Sequence, residues 1–263
     1  MDLFTQIEQI DFPAPLPTTL LEVEQHFDAP RVHDIPAAVN AALEESGILA
    51  AMHPGASVAS GVGSRGVANL PVLVRAAAQR LLAAGLRPYI VPAMGSHGGA
   101  TAEGQLDVLA QLGVTETSCG VPLRATMEVR AIGQLPGGPP LYQGLDSAAA
   151  DHTLLIARVK PHTDFRSHLE SGPAKMAVIG LGKQRGAVAM HAGGGANFQR
   201  YLAPAAPIYA SNTNLVGALA AVENAYDETA SVTGLTAAEI GGVREAELLV
   251  EAKALLASLP FPT

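Results

Sequence analysis

The apolar residues of this chain form two kinds of pattern, one with the spacing of helices and one typical of buried strands. Stretches of the two kinds alternate along the sequence. A helical period covers residues 35–46 and 70–84, and each of these stretches ends before a glycine. Shorter apolar runs at residues 56–62 and 89–91 have the length and composition of buried strands. Because helices and strands alternate, the pattern predicts an α/β fold with a layered sheet flanked by helices.

The remaining pattern extends this alternation toward the C-terminus. It predicts further helices at residues 102–112 and 236–259, extended segments at residues 20–23, 125–132 and 152–159, and a hairpin connection at the Gly- and Pro-rich stretch 133–140. Thr101 is a suitable N-cap for its helix, and a glycine-rich loop joins it to the preceding strand. Ligands gather in such loops at the carboxyl ends of strands, so we predict the ligand site there.

The composition limits the kinds of protein that this chain can be. With 263 residues, 48% of them hydrophobic, the chain can bury the core of one large domain or two small ones. The formal charge of −8 argues against nucleic acid and anionic membranes as partners, because both require a basic surface. A single cysteine, Cys119, excludes an intramolecular disulfide, and the first residues lack the features of a signal peptide. We therefore expect a cytoplasmic protein with no membrane partner.

Five side chains beside glycine-rich stretches are candidates for chemistry. Arg65, in a Gly-Ser-Arg-Gly turn, has a guanidinium that can hold a carboxylate through two hydrogen bonds. His97 and His162 each follow a predicted strand, where a neutral imidazole can take a proton from a hydroxyl. Lys175 adjoins an apolar run that favours a depressed pKa, and His191 can ligate a metal. We expect His162, Lys175 and His191 to occupy glycine-rich loops close to a ligand.

Each candidate also has an ordinary structural explanation. Arg65 is compatible with a surface turn, and the ammonium of Lys175 is compatible with an exposed position at the end of its stem. A lone histidine such as His191 does not specify a metal. The run Gly180-Leu-Gly-Lys183-Gln-Arg-Gly is only a weak indication of a phosphate-binding loop, because it lacks the full spacing of that motif. The residues alone therefore predict a small-molecule site with two imidazoles, an anion-binding arginine and a lysine.

The order and spacing of these motifs are more specific than any one of them. Together they resemble the N-terminal domain of the nickel-dependent lactate racemase family across residues 56–195. The interval between the lysine and the last histidine is part of this match. The motifs that carry the resemblance are Gly-Ser-Arg65-Gly, Gly-Ser-His97-Gly-Gly-Ala-Thr, Lys160-Pro-His162, Glu170-Ser-Gly-Pro-Ala-Lys175 and His191.

This resemblance implies a cofactor, an activity and a role for each candidate. The implied cofactor is a nickel pincer nucleotide, a nicotinate-derived mononucleotide joined through a thioamide to Lys175, with His191 completing the nickel coordination. By the same resemblance, Arg65 binds the substrate carboxylate, and His97 and His162 act as acid and base. The implied activity is racemisation or epimerisation of a 2-hydroxy acid by reversible hydride transfer, with one imidazole for each face of the substrate.

The resemblance also implies an arrangement of domains and partners. Residues 1–259 correspond to the family's N-terminal domain and residues 260–263 to the start of an interdomain linker, with the C-terminal domain absent from this chain. Because that second domain excludes water from the cofactor, we expect little turnover from this chain alone. The implied partners are a small 2-hydroxy acid, the C-terminal domain and the enzymes that synthesise the cofactor.

Two other functions are compatible with the same residues. In one, the chain is a non-catalytic domain that binds a nucleotide or another anion and retains only the fold. In the other, a metal-free enzyme uses Lys175 to form a Schiff base with a carbonyl substrate. A covalent cofactor on Lys175 distinguishes the racemase from the first alternative, and borohydride trapping reveals the second.

Overall fold

The computed structural model describes residues 18–19 and 21–259. Its strands are, in chain order, β1 Ser57–Val62, β2 Arg87–Pro92, β3 Val129–Gln134, β4 Pro140–Gly144, β5 His152–Arg158, β6 Leu215–Glu223 and β7 Thr229–Thr236. The main sheet has the order β2-β1-β5-β6-β7, and β3 and β4 form a separate antiparallel pair. Strands β2, β1, β5 and β6 run parallel, and β7 runs antiparallel at the edge. This arrangement confirms the predicted α/β fold with a layered sheet flanked by helices.

Helical segments cover both faces of the main sheet. They are α1 Ile35–Glu45, α2 Leu70–Ala83, α3 Ala102–Gln111, α4 Glu116–Cys119, α5 Leu145–Ala148, α6 Pro173–Lys175, α7 Lys183–His191, α8 Gly194–Asn212 and α9 Val243–Leu255. A π-helix, Met176–Leu181, lies between α6 and α7, and short 3₁₀ turns cover Leu49–Ala51 and Gly98–Ala100. Among the described residues, no helix combines the length and the apolar character that crossing a bilayer requires.

Two apolar layers hold the helices against the sheet, and strand β5 contributes to both. Leu154 and Ile156 belong to the layer that includes residues of α1, α2 and α3. Leu155 points to the opposite layer, which includes residues of α8 and α9, because successive side chains of a strand alternate between its faces. A strand buried on both faces is continuously apolar, which is why the sequence pattern of β5 predicts it correctly.

The predicted helices in the first half of the chain are confirmed to within one residue at their ends. Asp34 caps α1, and its carboxylate accepts the backbone N–H of Ala37. Thr101 caps α3 as predicted, because its Oγ1 accepts the N–H of Gly104 at 3.0 Å. The hairpin connection at 133–140 is also confirmed, since β3 and β4 pair on either side of it.

Several other predicted elements are wrong, are shorter than predicted or lie outside the described residues. Residues 21–23 form no strand, and Leu21 is 87% exposed; Leu20 lies outside the described residues, as do residues 1–17 and 260–263. The predicted extended segment 125–132 becomes a strand only at Val129. The predicted helix 236–259 begins only at Val243, because Thr236 ends the half-buried edge strand β7.

The prediction that Lys175 and His191 lie in loops is also wrong, because both residues end helical segments. The glycines between them permit close packing of backbone on backbone instead of opening a loop. A Cβ on Gly180 would lie 2.5 Å from the carbonyl oxygen of Ala93, and a Cβ on Gly182 would lie 2.3 Å from that of Val178. Glycines are common both in loops that approach a ligand and where two backbone segments pack closely, so glycine content alone does not distinguish these two structures.

Candidate active site

A cleft of about 180 Å³ opens at the carboxyl ends of the parallel strands. The chain passes from β1 to β2 on one side and later returns to β5 on the other side of β1, so the strand order reverses here. Such a reversal leaves a crevice between the loops that follow the two central strands. The loops after β1 and β2 and the end of β5 line this cleft, together with α6, the π-helix and the end of α7. The predicted position of a ligand site at strand ends therefore coincides with a cleft.

The loop after β1 contributes Ser64 and Arg65. Arg65 is exposed and lines the cleft, and its guanidinium makes no salt bridge with any described residue. Behind the loop, the backbone N–H of Ala68 donates to Glu223 Oε1 at 2.7 Å. This bond holds the loop against the end of β6. The guanidinium of Arg65, which makes no salt bridge with the described residues, is available to bind an anion.

His97 lies in the loop after β2, and α3 fixes the shape of that loop. Gln105 is fully buried, and its Nε2 donates to the carbonyl oxygens of Gly95 at 2.9 Å and His97 at 3.3 Å. Gly98 has a φ of +65°, and a Cβ there would lie 2.5 Å from the backbone of Gly104. The glycines beside the histidine thus allow the loop to pack directly on the first turn of α3.

The electrostatic environment of His97 favours its neutral form. Burial lowers the pKa of the imidazole, and the nearby charges of Arg65, His191 and Lys175 lower it further. Its Nδ1 lies 2.5 Å from the hydroxyl oxygen of Ser64. Because a hydroxyl can donate or accept, this contact is compatible with either tautomer of the ring.

Lys175 lies in the cleft in an environment that disfavours its charge. Burial lowers the pKa of its ammonium to about 8, with a further contribution from Arg65. The Nζ atom lies 5.9 Å and 5.4 Å from the ring centres of Phe165 and Phe198. The buried carboxylate of Glu245 accepts the N–H of the preceding residue at 3.0 Å and so holds the start of α6 in place.

His191 ends α7 and lines the same cleft. Its Nδ1 lies 2.7 Å from the carbonyl oxygen of Ala187. A carbonyl only accepts, so Nδ1 carries the hydrogen and Nε2 retains the lone pair that a metal requires. Among the described residues, no group of three or more His, Cys, Asp or Glu side chains is arranged to hold a metal ion.

His162 is near this group but does not line the cleft. Its ring packs on Phe165 with a centroid distance of 4.4 Å, and Nδ1 accepts the backbone N–H of Asp164 at 3.1 Å. The neutral ring therefore carries its hydrogen on Nε2. Burial lowers the pKa of the imidazole, and the charge of Lys175 lowers it further. The structure thus brings four of the five predicted residues to one cleft and places the fifth beside it.

Lys183 is separate from this site, although it lies in the same glycine-rich run. Its side chain is fully buried, and Nζ donates to Asp146 Oδ2 and to the carbonyl oxygen of Pro92, both at 2.6 Å. The weak indication of a phosphate-binding loop is therefore wrong for this lysine, because its ammonium serves a buried ion pair.

Two cations that line the cleft, Arg158 and Lys160, received no role from the sequence, although Lys160 stands in one of the motifs. They lie at the end of β5, two residues apart, with the buried Val159 between them. Side chains two residues apart point to the same face of an extended chain, so this spacing was the available signal. Ser64 was also overlooked, because a serine in a glycine-rich turn has no distinctive pattern.

Comparison with solved structures finds a similar fold. No protein-family model and no curated protein matches this sequence. The lactate racemase apoprotein from Thermoanaerobacterium thermosaccharolyticum has a similar structure, with a TM-score of 0.57 and 16% sequence identity. The similarity covers 83% of this chain and 56% of that protein, so this chain spans a little over half the length of its structural neighbour. The chain shares the α/β fold of this lactate racemase apoprotein.

Proposed function

We propose that this chain provides the cofactor-binding and substrate-binding residues of a racemase or epimerase of 2-hydroxy acids. In this proposal a nickel pincer nucleotide is tethered to Lys175, and nickel is bound by His191. The observation that carries the proposal is that Arg65, His97, Lys175 and His191, distant in sequence, all line one cleft at the switch point of the sheet.

The residues present fit such a cofactor. With a pKa of about 8, Lys175 is partly neutral near physiological pH, and a neutral amine is the nucleophile that thioamide formation requires. His191 offers one nitrogen lone pair, and the described residues offer no cluster of three metal ligands. A metal bound here therefore needs an organic group that brings most of its donor atoms. When bound, the proposed cofactor would accept and return the hydride of the substrate's 2-carbon.

Arg65 and His97 are assigned to the substrate. The guanidinium of Arg65 is exposed in the cleft, and it binds the substrate carboxylate in this proposal. The depressed pKa of His97 keeps its imidazole neutral, so the ring can accept the proton of the 2-hydroxyl. For Nε2 to accept this proton, Nδ1 must carry hydrogen, and the Ser64 hydroxyl oxygen can accept from Nδ1–H both before and after the transfer.

His162 is assigned to the opposite face of the substrate, and this role requires a local rearrangement. Proton exchange at Nε2 needs hydrogen on Nδ1, whereas Nδ1 here accepts from the N–H of Asp164. Two donors cannot face each other, so that hydrogen bond must open when His162 acts. We therefore propose that the loop after β5 moves when substrate binds.

The open cleft also supports a second domain as a partner. Arg65, His97 and His191 are all exposed, whereas hydride transfer is protected by excluding water. We propose that the active form includes a C-terminal domain that covers the cleft, and that this chain alone has little turnover. Enzymes that synthesise the cofactor are proposed partners of the same system.

The test of this proposal is covalent loading of Lys175. The chain, with its second domain where that domain is obtained, is coexpressed with the cofactor-synthesis enzymes and measured by intact mass spectrometry and nickel analysis. We expect a cofactor adduct that maps to Lys175 and stoichiometric nickel, with neither in the Lys175→Arg variant. His191→Ala is expected to retain the adduct and lose nickel.

An unmodified, nickel-free chain under these conditions contradicts the racemase proposal. Binding of a nucleotide without a covalent adduct would favour the non-catalytic domain. Borohydride trapping of a carbonyl compound on Lys175 would favour the Schiff-base enzyme.

A further inference from the structure

Lys160 is a cation in the cleft to which the proposed function assigns no role. It lines the cleft with Arg65, Arg158 and Lys175, and the described residues that line the cleft include no Asp or Glu. The ammonium of Lys160 makes no salt bridge with any described residue. A half-buried charge without a bonded partner is costly unless something else neutralises it.

The backbone around Lys160 holds this charge in a defined place. Its N–H donates to the carbonyl oxygen of Ser171 at 3.0 Å, and its own carbonyl accepts the N–H of Ser171 at 3.2 Å. These two bonds pair the end of β5 with the segment just before α6. The side chain is thus presented to the cleft from a paired backbone and not from a free loop.

Arg158 differs from Lys160 because it already has a partner. Its guanidinium bonds to the carboxylate of Glu223, whose side chain is 8% exposed. Glu223 also accepts the N–H of Ala68, so its charge is shared between the two donors. The pair anchors one wall of the cleft and leaves Lys160 as the cation beside it.

The neighbouring cations disfavour the charge of Lys160. Burial lowers the pKa of its ammonium, the charges of Arg158 and Arg65 lower it further, and the carboxylates of Glu223 and Asp227 act in the opposite direction. Lys160 in turn lowers the pKa of Lys175. An anion beside Lys160 would relieve repulsion among all these cations.

We propose that Lys160, next to Arg65 and Arg158, forms a second anion-binding subsite of the cleft. This subsite rests on the proposed function, in which Arg65 holds the carboxylate of the 2-hydroxy acid and a nucleotide is tethered to Lys175. The group bound at Lys160 is a second oxyanion. Two sources have this chemistry, namely a second carboxylate on the substrate and the phosphate of a tethered nucleotide.

The test is calorimetric binding to the complete chain without cofactor, at low ionic strength so that charges are little screened. Two matched pairs of ligands each differ by one anionic group: 2-hydroxysuccinate against 2-hydroxybutyrate, and ribose 5-phosphate against ribose. In one of the two pairs, we expect the ligand with the extra anionic group to bind at least about tenfold more tightly than its partner. Lys160→Met should abolish that preference, and Lys160→Arg should retain it.

Arg75→Met is the matched control, because it removes an exposed cation on α2 that does not line the cleft. This variant should bind all four ligands as the natural chain does. A preference within the acid pair assigns the subsite to the substrate, and a preference within the sugar pair assigns it to the nucleotide.

The proposal is overturned if, in both pairs, the two ligands bind equally or do not bind. It is also overturned if the Lys160→Met variant still prefers the ligand with the extra anionic group. These experiments need neither nickel nor turnover. Failure of covalent loading at Lys175 and failure of the anion subsite are therefore separate outcomes.

Discussion

Lys175 and Lys183 lie eight residues apart in one glycine-rich run, yet the structure places them in opposite environments. Lys183 is fully buried and bonds to Asp146 and to a backbone carbonyl. Lys175 lines the cleft, makes no salt bridge with any described residue and has a pKa lowered to about 8. A buried ammonium paired with a carboxylate cannot be removed without leaving an uncompensated charge, whereas a buried amine without a bonded carboxylate keeps a lowered pKa and its reactivity.

The comparison shows that the partner of a lysine, more than its neighbours in sequence, determines its use. Asp146 is 37 residues away from Lys183 in the chain and reaches it only because α5 follows β4. No carboxylate of the described residues forms a salt bridge with Lys175, and only the charge of Asp164 acts on its pKa in the opposite direction to burial. Variants that remove the charge of either lysine, and reagents that label its amine, therefore test whether the two lysines differ in this way.

The largest expected effect is the loss of stability in Lys183→Met. This change leaves the carboxylate of Asp146, 2% exposed, without its cation, and breaking a buried pair in this way typically costs about 3–5 kcal/mol. The free energy of unfolding, measured with urea, should fall by that amount. Lys175→Met is the matched control, and it should lower stability by less than about 1 kcal/mol, because no bonded carboxylate is left behind. Equal losses in the two variants would contradict the comparison.

Chemical labelling should separate the same two amines in the folded protein. Only the neutral amine reacts, so labelling of Lys175 should rise with pH and reach half its maximum near pH 8. A free lysine derivative, with an ordinary pKa of about 10.4, serves as the reference. Lys183 should remain unlabelled until the protein unfolds, because its side chain is 0% exposed. Peptide mapping by mass spectrometry measures both rates, and early labelling of Lys183 would be the contrary result.

The smallest expected effect is on the neighbouring histidines. Lys175→Met removes a positive charge that disfavours the imidazolium form, so the pKa values of His162 and His97 should rise. The rise should be larger for His162. The charge of Lys175 contributes more to the lowered pKa of His162, where only burial has a larger effect, than to that of His97, where burial, Arg65 and His191 all have larger effects. Histidine NMR titration measures both values. Arg75→Met should leave them unchanged, and unchanged values in Lys175→Met would show that its charge does not reach the two rings.

Much of the fold is predictable because its signals are local. The caps at Asp34 and Thr101 mark helix starts, and the apolar run of β5 marks a strand buried on both faces. The failures arise where tertiary contacts override local preference. Helix α8 contains Pro204 and Pro207, which ordinarily end a helix, and β7 is a Thr- and Ser-containing edge strand without a continuous apolar run.

Motifs predicted some of the residues that line the cleft, but not the orientation of their side chains. Motif order leads to Arg65, His97, Lys175 and His191, which the structure brings to one cleft. The orientation of His162 depends on a hydrogen bond from a backbone N–H two residues away, which no motif encodes. Their catalytic roles remain predictions until loading and turnover are measured.

The π-helix between α6 and α7 makes the site sensitive to the length of this segment. In an uninterrupted α-helix, the sixteen steps from Lys175 to His191 would span about 24 Å. Here the π-helix and the left-handed conformation of Lys183, with a φ of +53°, redirect the chain so that both ends line one cleft. Deleting one residue within Met176–Leu181 would rotate everything after it by about 100°. We therefore expect distant homologues to keep the length of this stretch, so the absence of a gap here is a feature by which alignments can recognise them.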